Sequence, residues 1–229
     1  MGSNYKMDYG VDIVFVIDVT MSMRPLLDTV KENVLHFYED FVQKMNEKKK
    51  IVSKLRVRVV AFRDYYYDRE NAMLLTNFFE LPQDAQKLEA AVKSLQPDGG
   101  GDDPEDGLEA LAFAMKSDWN MDAPKKRHVI VVWTDDGTHD LGFGRTAPNY
   151  PKGMPKNFNE LTEWWGTRNS VNPVMNNEAK RLLLFTPDKE SWDLIRDNWG
   201  NVVQFVSEAG NGLEHETYEH ILNAIAGSI

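Results

Sequence analysis

A short apolar run that ends in an acid and two hydroxyl side chains constrains the fold of this chain more than any other segment. Residues 13–17 are apolar throughout, which is typical of a strand buried on both faces of a parallel sheet. Asp18, Thr20 and Ser22 follow within five residues. Ligands of open α/β sheets bind beyond the carboxyl ends of the strands, and Mg2+ prefers hard oxygen ligands. This segment therefore predicts a divalent cation site.

Length and charge narrow the class of protein. A chain of 229 residues fits one α/β domain, which we expect to span 1–229. With 26 Lys and Arg against 36 Asp and Glu, the net charge is −10, which disfavours a nucleic-acid partner. Two short basic runs, 48–50 and 125–127, each precede a strand and are interpreted as solvated helix ends or loops.

The absence of cysteine and of long apolar segments sets further limits. With no cysteine, the chain has no disulfides, no thiolate metal sites and no cysteine nucleophile. No apolar stretch is long enough to span a bilayer, and no secretory signal is visible. These features predict a soluble, cytoplasmic protein without a membrane partner, and they leave its oligomeric state open.

Helical and strand patterns alternate along most of the chain, which predicts a doubly wound α/β fold. The expected sheet has six strands, is mainly parallel, and carries helices on both faces. The strand at 72–79 follows its predecessor too closely for a helical crossover, so it is predicted to be an antiparallel edge strand. The predicted strands are 13–17, 55–62, 72–79, 128–133, 181–185 and 202–206. The predicted helices are 25–48, 84–95, one opening at 103–106, 188–197 and 213–225. Residues 142–173 are predicted to form an irregular surface excursion with a helix near 159–165.

Two later loops resemble the first in chemistry. The glycine-rich turn 99–104 carries Asp102 and Asp103 towards a helix start, and the fourth strand ends in a loop with Asp135 and Asp136. Each loop alone could be ordinary turn or helix-cap chemistry. If the first and fourth strands are neighbours, all three loops meet in one crevice, and together they predict a single metal site.

The chain resembles von Willebrand factor type A domains over almost its whole length. Their metal-ion-dependent adhesion site has the pattern Asp-x-Ser-x-Ser, a later Thr, and a distant Asp. The resemblance implies Mg2+ as the ion, with Mn2+ or Ca2+ as alternatives, and a non-enzymatic protein-binding module whose partner commonly supplies a carboxylate. The metal residues that the resemblance implies are Asp18, Thr20, Ser22 and Asp135, with Asp136 as an alternative to the last. The second-loop Thr has no clear equivalent, and Asp102, or Asp103 in its place, is predicted to complete the set.

Three segments look like a narrower subgroup of that family. They are Ala-Phe-Arg-Asp-Tyr at 61–65, Gly-Gly-Gly-Asp-x-Pro-Glu-Asp at 99–106, and Thr-Asp-x-x-x-His at 134–139. They are similar to intracellular bacterial domains from tellurite-resistance-like and kinase-associated proteins.

The second loop departs from the family pattern, because an acid stands where a threonine is expected. A cation held by several carboxylates sits in a net anionic shell, which is unfavourable for another carboxylate. We therefore expect water, or a weakly held acidic ligand, to complete the coordination.

Other residues are candidates for the rim of the site. Asp64 and His139 could reach the cation, although an ion pair, a turn cap or local hydrogen bonding explains each equally simply. Tyr65, Tyr66 and Tyr67 are predicted to form an exposed recognition patch, because clustered loop aromatics favour interfaces.

Two other functions remain open at the level of sequence. Strand-end aspartates around Mg2+ also occur in phosphohydrolases and phosphotransferases. Against this, no second aspartate stands at position 20 after Asp18. The third possibility is a folded scaffold whose site serves structure alone.

Overall fold

The computed structural model describes residues 7–100 and 104–229. Within these ranges the chain forms one sheet of seven strands, one more than predicted. The strands are β1 (Met7–Asp18), β2 (Lys50–Phe62), β3 (Met73–Leu75), β4 (Phe79–Leu81), β5 (Lys125–Trp133), β6 (Lys180–Pro187) and β7 (Val202–Ser207).

The sheet has the order β3-β2-β1-β5-β6-β7, and β4 also pairs with β2. The five long strands are parallel, whereas β3 and β4 run antiparallel to β2. Strands β1 and β5 are neighbours, with Ile17 opposite Trp133, as the convergence of the loops requires. The predicted doubly wound, mainly parallel fold is confirmed.

Helices cover both faces of the sheet and bury two apolar layers. They are α1 (Arg24–Asn33), α2 (Phe37–Glu47), α3 (Ala85–Ser94), α4 (Gly107–Met115), α5 (Phe158–Trp165), α6 (Glu190–Asn198) and α7 (Tyr218–Ser228). Helices α1, α2, α3 and α7 pack on one face, and α4, α5 and α6 pack on the other. None of the helices in the described residues is both long and apolar enough to cross a membrane.

Strand β1 is the centre of this core. Val14 and Val16 face one apolar layer, Ile13 and Ile17 face the other, and all four are fully buried. Full burial of each such side chain contributes about 1.5–3 kcal/mol. The strand that carries Asp18 is therefore held from both sides.

The predicted third strand at 72–79 is two short strands, because Thr76 interrupts the pairing with β2. The Thr76 hydroxyl accepts a hydrogen bond from Val59 N (2.9 Å), which a backbone carbonyl would otherwise accept. The Thr76 carbonyl instead accepts from Arg58 Nε (2.9 Å). The side chain thus replaces the ladder bond and ends β3 after Leu75.

The predicted helix 25–48 is also divided, into α1 and α2. Asn33 Nδ2 donates to the Thr29 carbonyl (2.8 Å), and His36 N bonds to Asn33 O (3.1 Å) in a turn. Asparagine bonds of this kind compete with the helical ladder. The apolar pattern continues across the break because both helices pack on the same layer.

Two helices start later than predicted. Asp106 flanks α4 without capping it, since its carboxylate accepts from Tyr65 N (2.7 Å), and Glu105 forms a bridge with Thr138. Asp103 lies outside the described residues. Helix α7 begins after Thr217, whose hydroxyl accepts from His220 N (3.2 Å).

Candidate metal centre

Asp18 closes β1 and is the most strongly bonded residue of the candidate site. Its side chain is 1% exposed. Oδ1 accepts hydrogen bonds from Thr20 N (2.9 Å) and Thr20 Oγ1 (2.6 Å). Oδ2 accepts from Thr134 Oγ1 (2.7 Å), at the end of β5. The carboxylate therefore joins the ends of two neighbouring strands.

Asp135 and Ser22 extend this network. Ser22 Oγ donates to Asp135 Oδ1 (3.0 Å) and lies 3.4 Å from Thr20 Oγ1. Asp135 Oδ2 accepts from Gly212 N (2.8 Å), in the loop before α7. The structure thus brings four of the five predicted metal residues into one cluster of oxygen atoms: Asp18, Thr20, Ser22 and Asp135.

The spacing of these oxygens fits a small divalent cation. Mg2+ takes octahedral oxygen ligands at about 2.0–2.1 Å, so adjacent ligand oxygens lie about 2.9 Å apart. The Thr20–Asp18, Ser22–Asp135 and Thr20–Ser22 oxygen distances are 2.6, 3.0 and 3.4 Å. All of the atoms are hard oxygens, and the residues present fit such an ion.

The electrostatics of the cluster also favour a cation. Burial raises the pKa of the Asp18 carboxyl to about 6, although its hydrogen bonds to Thr20 and Thr134 act in the opposite direction. The negative charge of Asp135 raises it further. Two buried carboxylates in contact through hydroxyls repel each other, and a positive charge between them would relieve that repulsion.

The described start of the second loop lies beside this cluster. Asp102 and Asp103 lie outside the described residues, so their positions in the site stay predictions. Gly100 precedes them, and a β-carbon there would lie 3.4 Å from Thr20 Cβ. In the ranges 7–100 and 104–229, no three Asp, Glu or His side chains gather as a metal cage. The described part of the oxygen cluster consists of the Asp18 and Asp135 carboxylates and the Thr20 and Ser22 hydroxyls, with the Thr134 hydroxyl bonded to Asp18.

Thr134 and Gly212 belong to the site but were not among the residues predicted from sequence. Thr134 is fully buried, and its hydroxyl also accepts from Asp136 N (3.2 Å). Thr134 could have been found from the sequence, because it stands directly between a buried strand and Asp135. Gly212 lies 77 residues from its partner Asp135, and no local pattern marks it.

Asp136 points away from the cluster. Its Oδ1 accepts from Gly137 N (2.6 Å) and lies 3.5 Å from Lys189 Nζ. Of the two adjacent acids, Asp135 and Asp136, only Asp135 belongs to the described hydrogen-bond network.

Asp64 and His139 face each other beside the site. Asp64 Oδ2 lies 3.2 Å from His139 Nε2, which is an ion-pair distance when the histidine is protonated. Asp64 Oδ1 accepts from Tyr66 N (2.6 Å) and Tyr67 N (2.8 Å). Asp64 thus caps its own turn, and the structure brings neither side chain into the oxygen network.

The tyrosine patch is only partly exposed. Tyr66 and Tyr67 are 40% and 58% exposed, whereas Tyr65 is 3% exposed. The prediction for Tyr65 is wrong, because its ring packs edge-on against Tyr150 with centroids 5.2 Å apart. Tyr65 also packs with the buried Ala72 and Ala147, so the loop turns one of its three rings inward.

Comparisons with known proteins agree with this architecture. The chain is 25% identical over 145 residues to alpha-protein kinase vwkA of Dictyostelium discoideum, an alignment that covers 63% of this chain and 21% of that protein. The chain therefore spans about a fifth of the length of that relative.

Among solved structures, the pilus adhesin SpaC of Lactobacillus rhamnosus GG superimposes with a TM-score of 0.51 at 12% identity. The match covers 95% of this chain and 30% of the adhesin. An open conformation of the same adhesin superimposes with a TM-score of 0.50 at 13% identity, and the coverage of both chains is the same. These similarities show the fold.

A sequence model of the von Willebrand factor type A domain matches residues 13–138, more than half of the chain. The matched span includes both strand ends that build the oxygen cluster. This chain belongs to the von Willebrand factor type A domain family.

Proposed function

We propose that the chain is a non-enzymatic protein-binding module whose binding depends on a divalent cation. The observation that carries this proposal is the continuous hydrogen-bonded network from Thr134 through Asp18, Thr20 and Ser22 to Asp135. Membership of the von Willebrand factor type A domain family supports it.

Asp18, Thr20, Ser22 and Asp135 would hold the cation, with Asp102 or Asp103 from the second loop. Mg2+ is the expected ion, and Mn2+ or Ca2+ are alternatives. A bound cation supplies a Lewis acid that can accept an oxygen ligand from a partner. Because the shell is already anionic, we expect a partner's carboxylate to bind weakly.

The exposure of the first loop indicates where a partner would approach. Asp18 and Thr20 are buried, whereas Ser22 and Met21 are exposed, and Met21 is 50% exposed. An exposed methionine beside a polar centre provides apolar contact around it. A protein partner is therefore expected on the Ser22 side of the cluster.

The bonding of Asp18 supports binding rather than phosphoryl transfer. A nucleophilic carboxylate needs an oxygen that is free to attack, and both Asp18 oxygens accept hydrogen bonds inside a buried cluster. The kinase activity named for the Dictyostelium relative belongs to a protein of which this chain spans about a fifth.

Quantitative capture from a native lysate tests the proposed function. We expect specific proteins to be retained by the immobilised chain in Mg2+ and lost both in EDTA and with an Asp18→Ala chain. Equal retention in EDTA would favour the scaffold. Turnover of a generic phosphoester that disappears in Asp18→Ala would favour the enzyme.

Thr134→Val is expected to weaken cation binding about tenfold, because outer residues that orient metal ligands typically contribute 10–100-fold in affinity. The substitution removes the hydroxyl that donates to Asp18 Oδ2 at 2.7 Å while keeping a similar volume. Titration with Mn2+ measures the loss, and Thr134→Ser is expected to restore most of the affinity. Equal binding by wild type and Thr134→Val would contradict this role.

A further inference from the structure

The two basic runs of the sequence meet at the end of the sheet opposite the oxygen cluster. Strand β1 begins between them, with Met7 opposite Lys50 of β2 and Tyr9 opposite Lys125 of β5. Because side chains alternate between the faces of a sheet, Arg127 lies on the same face as Lys125. We call this set, completed by Arg181 of β6, the basic end.

Three of these charges surround one aromatic ring. Lys50 Nζ, Lys125 Nζ and the Arg127 guanidinium carbon lie 5.9, 5.8 and 5.4 Å from the Tyr9 ring centroid. The Tyr9 ring is itself buried. Cation–π attraction holds such charges at about 6 Å, but one ring cannot neutralise three of them.

Three cations of the basic end form no close ion pair with an acid of the described residues, although Asp8 of β1 lies at this end of the sheet. In the ranges that the structure describes, no Asp or Glu lies within ion-pair distance of Lys50, Arg127 or Arg181. Residues 1–6 contain no acid in their sequence. Burial lowers the pKa of Lys50, and the charges of Lys48, Arg127 and Arg181 lower it further. Lys50, Arg127 and Arg181 therefore repel one another, and no carboxylate of the described residues lies within ion-pair distance of these three.

Helix termini explain only part of this arrangement. Arg181 Nε donates to the Ser228 carbonyl (3.1 Å) at the end of α7, which is a common role for a basic residue. Arg127 donates to the Lys126 carbonyl (2.9 Å), and its buried Nε has no acceptor among the described residues. The Arg127 Nε is out of a ligand's reach, but Lys50 and Arg127 keep charges that no described carboxylate pairs with, and these charges are what a ligand would meet.

We propose that the basic end is a docking surface for a short acidic segment of a partner protein. Several carboxylates in sequence match a cluster of cations held around one ring. A nucleic acid fits less well, because the chain carries a net charge of −10 and would repel a long polyanion beyond this end.

This surface is separate from the cation site of the proposed function. Strand β1 has 12 residues, so at about 3.3 Å per residue its two ends lie about 35 Å apart. Binding at the basic end is therefore expected to be the same in Mg2+ and in EDTA.

Fluorescence anisotropy with a labelled hexaglutamate peptide, at low salt in EDTA, tests the proposal. We expect wild type to bind, and the double variant Lys50→Glu with Arg127→Glu to bind at least tenfold more weakly. The matched control is Lys152→Glu with Lys156→Glu, two exposed lysines in the excursion, which changes net charge equally. This control is expected to stay within twofold of wild type. If the first variant fails to fold by circular dichroism, Lys50→Gln with Arg127→Gln replaces it.

Several results would overturn the proposal. They are the absence of hexaglutamate binding by wild type, an equal loss in both double variants, and tighter binding of a thymidine hexanucleotide than of the peptide. Peptide binding that requires Mg2+ and disappears in Asp18→Ala would assign the acidic ligand to the cation site instead.

Discussion

Replacing Asp18 with asparagine is expected to weaken Mg2+ or Mn2+ binding at least a hundredfold while leaving the chain folded. The substitution removes one of the two described carboxylate charges of the oxygen cluster but keeps the size of the side chain. Strand β1 stays in place because its apolar side chains are buried on both faces. Isothermal titration measures binding, and far-UV circular dichroism measures folding. Unchanged Mn2+ affinity would contradict the assignment of Asp18 to the site.

The same variant gives a pH-dependent difference in stability when EDTA is present. The folded-state pKa of Asp18, about 6, lies above its ordinary value of 3.8. Because the folded state binds this proton more tightly, the Asp18 carboxyl makes its full contribution to wild-type stability below about pH 4. That contribution is lost as the pH rises through 6. That pKa shift corresponds to about 3 kcal/mol of unfolding free energy. Between pH 4 and pH 8, the stability of Asp18→Asn relative to wild type should therefore rise by this amount. A difference between the two proteins that stays constant over this range would argue against the burial of an ionisable Asp18.

Gly212→Ala is expected to destabilise the protein by about 3 kcal/mol or more, or about 10 °C in Tm. Gly212 has φ +57°, and a β-carbon there would lie 2.1 Å from the Ser22 carbonyl oxygen. The backbone of one of the two loops must therefore move, and the Gly212 N to Asp135 Oδ2 bond would be disturbed. We expect both lower stability and weaker Mn2+ binding, measured by thermal unfolding and by titration.

Gly210→Ala is the matched control in the same loop. Gly210 also has a positive φ (+75°), but a β-carbon there would meet no atom within 4 Å. Only the cost of the left-handed conformation remains, about 1–2 kcal/mol. Equal destabilisation by the two substitutions would show that the contact with Ser22 has no energetic weight.

The fold was largely predictable because its central strands carry an unambiguous pattern. Residues 13–17 and 128–133 are continuous apolar runs, and both are buried in the middle of the sheet. A parallel arrangement then places the acids that follow them at one edge. The contacts among Asp18, Thr20, Ser22 and Asp135 follow from that topology.

The breaks within two predicted elements were not predictable, because side-chain hydrogen bonds replace backbone interactions there. Thr76 and Asn33 each divide a predicted element through one hydrogen bond, and the apolar pattern continues across both breaks. Gly212 joins the site from a distant loop, so its role depends on tertiary contact. The two basic runs were interpreted as solvated, since only the pairing of β1 with β2 and β5 brings them together.

The enclosure of β1 between two apolar layers restricts how this site could adapt to ions of different radius. A shift of β1 by one residue would exchange its two buried faces, so Asp18 has a fixed position. Larger ions such as Ca2+ need longer bonds and more ligands than Mg2+. That adjustment must come from the three loops, at 19–23, 99–106 and 134–139. Related chains that prefer a different metal should therefore differ in those loops and retain the strand.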